Sequence, residues 1–408
     1  MFNDFFQLVQ DLLLTLQTKT VRFMKVIHFI TDDKFLNSTI EMFEEIEELN
    51  NRYLIISDEE TPFHFLTSTK VEKIKTSDIN NVILDPTSTD VIVIHNLSSL
   101  PCEYIKEIHP RIKVVWFSWG FDTYNNQKPQ FPLIPLKHQI KPKTMNLRYR
   151  LRFWNESLRL FFKNTNKNIL IKRHIFIDSI HRIDYYSGVF PIEYDFLKKH
   201  PFFRAKQILF SYPFEKDTIK KENLYHDIFP KGKTIQIGNC GKILSNHRNT
   251  FWLLQKMDLK DRKILVPLSY GGNNLYRSTV YEKGRQLFGD KFIPLTSFIE
   301  LDKYIELTKS VSVAIYNIIR QMAVGYILLN LWNGAKVFLP EDSINYKHFK
   351  SLGYKVFSLE KDLNQKAIDT FLSDEDIIEN RKKILKYHSY IAMKEKTIKS
   401  FQLIESEL

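Results

Sequence analysis

The chain has 408 residues, enough for two domains with separate cores, and its 43% hydrophobic and 14% aromatic content exclude a disordered protein. Its two cysteines, Cys102 and Cys240, exclude a disulfide framework and fit a reducing cytosol. The net charge of +12 calls for an anionic partner, which is nucleic acid, acidic lipid or a phosphorylated substrate. The sequence contains no metal-ligand spacing such as CxxC or HExxH, and no apolar run long enough to span a bilayer.

Residues 1–23 form an N-terminal extension that predicts an amphipathic helix. Its apolar side chains recur at helical spacing, at Phe5, Leu8, Val9, Leu12 and Leu16. Acidic residues stand where a signal peptide would carry lysines. The stripe either docks on its own protein or lies on a membrane surface.

Residues 24–213 alternate between strand and helix patterns, which predicts a parallel sheet with right-handed crossovers. The predicted strands are 24–30, 52–57, 63–68, 91–95, 113–120, 174–179 and 208–213, with a helix at 39–49. In such sheets functional groups collect just past the carboxyl ends of the strands. We therefore take His28, His95, Trp119 and Asp122 as candidates.

The candidates have alternative interpretations. His28 and His95 either face a cleft or are core histidines. Asp122 is either a general base for an acceptor hydroxyl or a helix cap.

A basic insertion at about 137–173 carries most of the excess charge, with eleven lysines and arginines against one acid, Glu156. It is a solvated face, a surface for acidic lipid, or a nucleic-acid surface. Its aromatic residues and arginines suit lipid headgroups, and the enzyme-like strand ends favour lipid over nucleic acid. The candidate membrane-surface residues are Arg148, Arg150, Arg152 and Trp154.

A polar stretch at 214–233 predicts a linker, and a second strand and helix alternation follows at 234–372. Residues 373–408 predict C-terminal helices. Two successive α/β halves indicate two facing Rossmann-like domains with an active site in the cleft between them.

The segment 311–340 is the most informative part of the second half. It predicts a buried strand at 311–317, an apolar helix at about 323–332 and a second strand at 335–339. Arg320 and Gln321 lie in the loop before the helix. Exposed N–H groups, the helix dipole and the arginine fork favour a phosphate there.

Two more strand–loop–helix junctions occur in the same half, at 238–247 and 266–274. Each is either a structural turn or a ligand loop. Three such junctions at matching strand ends describe a nucleotide-diphosphate site, although none is a GxGxxG or Walker motif.

The chain resembles the bacterial 4-acetamido-4,6-dideoxygalactosyltransferases (TDP-Fuc4NAc transferases) of enterobacterial common antigen assembly. The matching stretches are KVIHFITDDKFLNSTIEMFEEI, VIVIHNLSS, WFSWGFDTY, IGNCGKILSNH, VPLSYGGNN and IYNIIRQMAVGYILLNLWNGAKVFL. The resemblance implies the GT-B glycosyltransferase fold, with the donor bound by the second domain. It implies transfer of an amino-deoxy sugar to a polyprenyl-diphosphate-linked or other glycan acceptor in bacterial surface polysaccharide synthesis.

Residue by residue, the resemblance implies a donor site and an acceptor side. The donor residues are Asn239, Ser245, Asn246, Tyr270, Asn273, Asn274, Arg320, Gln321 and Gly325. On the acceptor side lie Trp119 and the catalytic candidates Asp122, His28 and His95.

We therefore expect a metal-independent transferase with no cofactor beyond a dTDP- or UDP-linked donor. We expect it in the cytoplasm, peripheral on the inner face of an anionic membrane, with a lipid-linked acceptor and no nucleic acid. The alternatives are a nucleotide-sugar epimerase of the same architecture and a non-catalytic nucleic-acid-binding protein.

Overall fold

The chain folds into two wholly parallel β-sheets, one in each half. The computed structural model describes residues 23–33, 35–124, 139–144, 167–213, 221–226 and 232–408. The first sheet contains β1 Met24–Phe29, β2 Leu49–Ile56, β3 Val71–Ile74, β4 Val91–Ile94, β5 Lys113–Phe117, β6 Tyr185–Ser187 and β7 Lys206–Gln207. The second contains β8 Thr234–Ile237, β9 Ile264–Pro267, β10 Phe292–Leu295, β11 Val311–Ile315, β12 Lys336–Leu339 and β13 Phe357–Ser358.

Helices cover both faces of each sheet. In the described residues of the first half they are α1 Leu36–Glu44, α2 Ile79–Ile83, α3 Cys102–Ile105, α4 Phe121–Tyr124, α5 Lys167–Arg182 and α6 Ile192–Leu197. The second half has α7 His247–Leu254, α8 Asn274–Phe288, α9 Leu301–Thr308, α10 Val324–Trp332, α11 Ile344–Ser351, α12 Gln365–Asp369, α13 Asp374–His388 and α14 Tyr390–Glu405. We call the β1–β7 sheet with its covering helices the first lobe, and the β8–β13 sheet with its helices the second lobe.

The strand order places a topological switch in each sheet. The first sheet runs β3-β2-β1-β4-β5-β6-β7 and the second runs β10-β9-β8-β11-β12-β13. The order reverses between β1 and β4 and again between β8 and β11, where connections leave in opposite directions and open a crevice. β4, β11 and β12 are buried along their whole length, as expected of strands covered on both faces. The predicted α/β class with two Rossmann-like sheets is confirmed.

Three predicted strands of the first half are wrong. Residues 174–179 lie in the helix α5, where Phe176 and Ile180 lie on one buried face, because parallel β5 and β6 need a crossover between them. Residues 63–68 form a loop, and the strand lies later, in β3. At 208–213 the chain is irregular and the strand is the short β7.

Each lobe receives side chains from the other half of the chain. The C-terminal helix α14 returns to the first lobe, where Met393, Phe401 and Ile404 join the core under β1 and β2. In the other direction, Phe190 before α6 packs into the core of the second lobe and stacks on His348 at 3.8 Å between ring centroids. The predicted domain boundaries are not settled by these contacts and remain predictions.

None of the helices in the described ranges is long and apolar enough to cross a membrane. The predicted N-terminal amphipathic helix lies outside the described residues, apart from the exposed Phe23.

Arg381 of α13 anchors part of the predicted linker. It is 1% exposed, and its guanidinium donates to the carbonyls of Trp332 at 2.7 Å, Asn223 at 3.0 Å and His226 at 2.7 Å. A buried cation with several carbonyl partners fixes the segment 221–226 against the second lobe.

Replacing Arg381 with methionine is expected to lower the free energy of unfolding by about 3 kcal/mol or more, because several buried carbonyls lose their donor at once. Urea denaturation followed by circular dichroism measures this. Lys382→Met is the matched control on the same helix, since Lys382 is exposed and should change stability by about 0.5 kcal/mol or less. Equal midpoints for the two variants would contradict the anchoring role.

Candidate active site

The loop between β11 and α10 forms the centre of the candidate site. β11 ends at Ile315, the following residues to Gln321 are buried, and α10 begins at Val324. Ala323 before the helix has φ +67°, which turns the chain sharply into α10. Gly325 in the first turn is exposed, so the N–H groups at the helix start are open to an anion. The predicted strand, loop and helix are therefore present.

Arg320 points from this loop into the contact between the lobes. It is only 8% exposed, and its guanidinium carbon lies 5.5 Å from the centre of the Tyr124 ring of the first lobe. One guanidinium nitrogen lies 4.0 Å from the sulfur of Met322, and the buried Nε has no hydrogen-bond partner. The side chain thus keeps an unused donor at the start of α10.

Gln321 makes the second contact between the lobes. It is 8% exposed, and its Oε1 lies against Gly120 of the first lobe, so that a side chain at position 120 would collide with it. Gly120 has φ +79°, which also favours glycine there. We call the contact of residues 118–124 with residues 317–322, together with Glu193, the seam.

The seam has an unusual charge balance. Burial lowers the pKa of Arg320 below its ordinary value, while Tyr124, Cys240, Glu193 and Asp122 raise it. Arginine stays protonated in spite of such shifts. A buried cation with an unpaired donor therefore faces acidic groups that belong mainly to the first lobe.

The other two junctions of the second lobe meet at the start of α10. Asn239, after β8, donates from Nδ2 to the Tyr270 hydroxyl at 3.0 Å, and Tyr270, after β9, donates to the Tyr326 hydroxyl in the first turn of α10 at 3.1 Å. Asn239 is 5% exposed and its buried Oδ1 has no partner, whereas Tyr270 is 40% exposed. Hydrogen bonds therefore connect Asn239 and Tyr270 to the first turn of α10, the helix that follows Arg320 in the chain.

Ser245 and Asn246 are used by the protein itself. Both are fully buried, and the Ser245 hydroxyl donates to the Cys240 carbonyl at 3.3 Å. Asn246, at φ +49°, donates to the carbonyls of Gln139 at 2.9 Å and Asn317 at 2.8 Å. Its Oδ1 accepts from the backbone N–H of residue 141 at 2.7 Å. Both side chains fix the loop in this structure, and their predicted donor contact stays a prediction.

Asn273 and Asn274 also have internal partners. Asn273 caps α8 by accepting from the backbone N–H of Tyr276 at 2.8 Å. Oδ1 of the exposed Asn274 accepts from the Arg277 guanidinium. Their predicted donor contacts stay predictions.

Asp122 locks the loop after β5. Its carboxylate accepts four hydrogen bonds, from the Trp116 indole at 2.8 Å, the Ser118 hydroxyl at 2.9 Å, and the backbone N–H groups of Trp119 at 3.0 Å and Leu97 at 3.3 Å. Burial raises its pKa, and these donors oppose the rise. The arrangement favours the capping interpretation over the general base, since both oxygens are occupied.

Trp119 borders the same loop on the acceptor side. It is half-buried, and its ring meets the ring of Tyr212 edge-on at 5.4 Å. The buried indole nitrogen has no hydrogen-bond partner. Its predicted acceptor contact stays a prediction.

His28 and His95 are core residues, the second of their two interpretations, and the catalytic assignment of both is not supported by their burial. Both are fully buried, and His28 Nδ1 lies 3.0 Å from His95 Nε2. The outer nitrogens contact Asn51 at 3.0 Å and the Tyr212 hydroxyl at 2.9 Å. Burial lowers the pKa of His28 to about 4 and that of His95 well below its ordinary value. Neither imidazole can reach a substrate hydroxyl, because the cluster is sealed from solvent.

Sequence reasoning missed three residues of the site: Tyr124, Tyr326 and Glu193. Tyr124 is the last residue of the stretch WFSWGFDTY, and its position two residues after Asp122 could have indicated a place in the site. Tyr326 lies one residue after Gly325. Glu193 stands in a segment without a recognisable motif, and only the fold shows its neighbours.

The predicted membrane residues Arg148, Arg150, Arg152 and Trp154 lie outside the described residues. Within the described ranges, no three or more histidine, cysteine, aspartate or glutamate side chains converge to hold a metal ion.

Comparison with protein families identifies the chain. A model described as 4-alpha-L-fucosyltransferase, glycosyl transferase group 56, matches residues 186–397, which is more than half of the chain. The chain belongs to glycosyl transferase group 56. This match includes β8 to β13, Arg320 and the whole of α10. No curated protein matches the chain at sequence level.

Solved structures with the fold of this group 56 protein include several glycosyltransferases. A glycosyltransferase from Rickettsia africae has a TM-score of 0.60 at 14% identity, covering 94% of this chain and 99% of the other. The lipopolysaccharide outer core galactosyltransferase WaaB has a TM-score of 0.56 at 12% identity, covering 94% and 100%. Anabaena Alr3699/HepE, in complex with UDP and glucose, has a TM-score of 0.59 at 10% identity, covering 93% and 100%. The predicted GT-B fold and glycosyltransferase family are confirmed.

Replacing His28 with glutamine is expected to lower the stability of the group 56 protein by about 1–3 kcal/mol, because buried hydrogen bonds to His95 and Asn51 are lost. The rate constant kcat of the folded fraction should stay within about twofold of wild type, since the effect is on folding alone. Thermal unfolding and saturation kinetics on the same preparation check both. A large fall in kcat with unchanged stability would restore the catalytic interpretation.

The burial of His28 also predicts how the free energy of unfolding changes with pH. Because burial lowers the pKa of His28 to about 4, between about pH 6.5 and 4 the unfolded chain binds a proton there and the folded chain does not. This component of stability is therefore present above about pH 6.5 and is lost as the pH falls, by at most about 1.4 kcal/mol per unit. The stability gap between wild type and His28→Gln should narrow on acidification, and a constant gap would contradict this assignment.

Proposed function

We propose that this group 56 enzyme transfers an amino-deoxy sugar from a dTDP- or UDP-linked donor to a polyprenyl-diphosphate-linked saccharide or another glycan acceptor. It would do so at the cytoplasmic face of a bacterial inner membrane, in surface polysaccharide synthesis. The observation that carries the proposal is the buried Arg320, whose unpaired donor lies beside the exposed start of α10 and faces the first lobe. The resemblance to the TDP-Fuc4NAc transferases supports the choice of sugar and acceptor.

The donor pyrophosphate would bind at the start of α10. Arg320 supplies a guanidinium fork, and the first-turn N–H groups near Gly325 supply neutral donors under the helix dipole. Asn239 and Tyr270 would bind the donor from the neighbouring strand ends. Support comes from Anabaena Alr3699/HepE, a protein of the same fold that binds UDP and UDP-glucose.

Charge stabilisation of the leaving group is the proposed mechanism. Breaking the bond between sugar and phosphate moves negative charge onto the nucleotide diphosphate, and fixed donors that already point at that charge lower the barrier. Arg320 and the helix start are held by the fold before the reaction, so little reorganisation is needed. We propose that this arrangement replaces a divalent cation, so EDTA should leave turnover unchanged.

Replacing Arg320 with alanine is expected to weaken binding of the matching nucleotide diphosphate about 10- to 100-fold, because a charge-assisted pair of hydrogen bonds to phosphate is lost. Calorimetric titration with dTDP, UDP and GDP measures the loss and identifies the base. Arg285→Ala is the matched control in the same lobe, since Arg285 is exposed on α8, and it should bind as wild type. Equal affinities for the two variants would remove the phosphate assignment.

A reaction without lipid distinguishes the enzyme alternatives. An epimerase converts the nucleotide sugar with no acceptor present, whereas a transferase releases nucleotide diphosphate in step with glycosylated acceptor. Mass spectrometry follows both reactions. Transfer that requires the polyprenyl-linked saccharide supports the proposal, whereas conversion of the nucleotide sugar without an acceptor supports the epimerase.

The membrane part of the proposal rests on the basic insertion. Replacing Arg148, Arg150 and Arg152 together with glutamine is expected to weaken binding to anionic vesicles on the order of 100-fold, since each cation near such a surface contributes about 1 kcal/mol. Vesicle sedimentation at low salt measures this. A triple substitution at Lys256, Arg285 and Lys382, residues outside the insertion, controls for net charge. Equal losses for the two triple variants would assign the effect to overall charge and not to this segment.

A further inference from the structure

Glu193 is a buried carboxylate that the proposed chemistry does not use. It lies in α6 of the first lobe and is 0% exposed. Its Oε2 accepts from the backbone N–H of Phe190 at 2.7 Å, while the buried Oε1 has no hydrogen bond of normal geometry and the Tyr124 hydroxyl lies near the carboxyl. A half-paired buried carboxyl costs free energy, and such groups concentrate where a protein has a functional use for them.

The groups that face Glu193 come from both lobes. Asp122 and Tyr124 of α4 and Tyr186 of β6 belong to the first lobe, and Arg320 approaches from the second lobe. The ring of Phe190 beside it stacks on His348 of α11, a neutral histidine whose pKa burial lowers to about 3.

Tyr124 connects the carboxyl to the arginine. Its ring lies 5.5 Å from the Arg320 guanidinium carbon, and its buried hydroxyl, near Glu193, has no hydrogen bond of normal geometry. The seam thus contains, in order, an incompletely bonded carboxyl, a tyrosine and an incompletely bonded guanidinium.

We propose that Glu193 is a positioning residue for Arg320, which draws the guanidinium toward the first lobe in the empty enzyme and competes with the donor pyrophosphate for it. This rests on the proposed function, in which Arg320 binds that pyrophosphate. The carboxylate neutralises the buried cation until an anionic ligand arrives. Because the carboxylate competes for the guanidinium, its ionised form lowers donor affinity and its protonated form raises it.

The competition makes donor binding sensitive to pH near neutrality. Burial raises the pKa of Glu193 to about 7, with Asp122 also raising it and Phe190, Tyr124 and Arg320 lowering it. Above this pH the carboxylate is charged and holds Arg320. Below it a proton from solvent neutralises the carboxyl and frees the guanidinium for phosphate.

The test is nucleotide binding by the full chain, measured by calorimetry with dTDP and UDP at about pH 6 and about pH 8, on either side of the Glu193 pKa. At the higher pH, Glu193→Gln should bind on the order of three- to tenfold more tightly than wild type, because no carboxylate competes with the phosphate for the Arg320 guanidinium. At the lower pH the two proteins should bind alike. Ionisation of the nucleotide itself cancels, since both proteins bind the same ligand.

Two further variants make the test specific. Glu193→Asp keeps the charge and should keep the pH dependence of wild type, which a packing defect would not reproduce. In an Arg320→Ala background, Glu193→Gln should change affinity by less than about twofold, because the coupling partner is absent. Melting temperatures of all variants confirm that each is folded.

The outcomes separate this inference from the proposed function. If Arg320→Ala binds nucleotide as wild type does, the phosphate site itself is wrong. If Arg320→Ala loses binding but Glu193→Gln binds no more tightly at the higher pH, the positioning role alone is overturned. An effect of Glu193→Gln that persists without Arg320 overturns it as well.

Discussion

A cation buried between two lobes without a full set of hydrogen-bond acceptors is the constraint on which the rest of this structure depends. The fold places Arg320 there through a buried strand, a left-handed residue at Ala323 and an interior helix. Removing a guanidinium from water is costly unless acceptors replace the water. The first lobe offers an aromatic ring and distant carboxyls instead of a direct partner. An anionic ligand would supply the hydrogen-bond acceptors that the protein does not give to Arg320. For this reason the seam is a better candidate site than the other strand ends.

The polar residues at the strand ends fall into two groups, and the difference decides how each is interpreted. Asn246, Asp122 and His28 have their hydrogen-bonding atoms occupied by neighbouring protein groups, so they hold loops and core in place. Arg320 and Asn239 each keep a buried atom without a partner. All five are polar residues at or near strand ends, and the number of satisfied atoms separates the two groups.

This difference also explains which parts could be predicted from the sequence. The unit from β11 to β12 was predicted to within two residues, because a continuous apolar run, an apolar helix and the Asn333–Gly334 stop are local signals. The strand predicted at 174–179 was wrong because the short apolar run Ile175–Phe176–Ile177 fits a strand, while the helical period shows only over the full length of α5. Burial of the two histidines depends on Tyr212 and Asn51, which are far away in the chain. Glu193 could not be found at all, since Arg320, whose charge influences it, lies more than a hundred residues later.

The return of α14 to the first lobe has a consequence for how the protein is made. Met393, Phe401 and Ile404 complete a core whose other members lie between Met24 and Phe210, and Lys394 pairs with Glu45 at 3.1 Å. The ribosome synthesises the second sheet before these residues. Until α14 has been made, the first lobe therefore exposes an apolar surface. The second lobe can fold first. The helix α14, which follows it in the chain, then completes the core of the first lobe. Truncations near the carboxyl terminus are thus expected to expose the amino-terminal half to chaperones and proteases, although the cut lies hundreds of residues away from it.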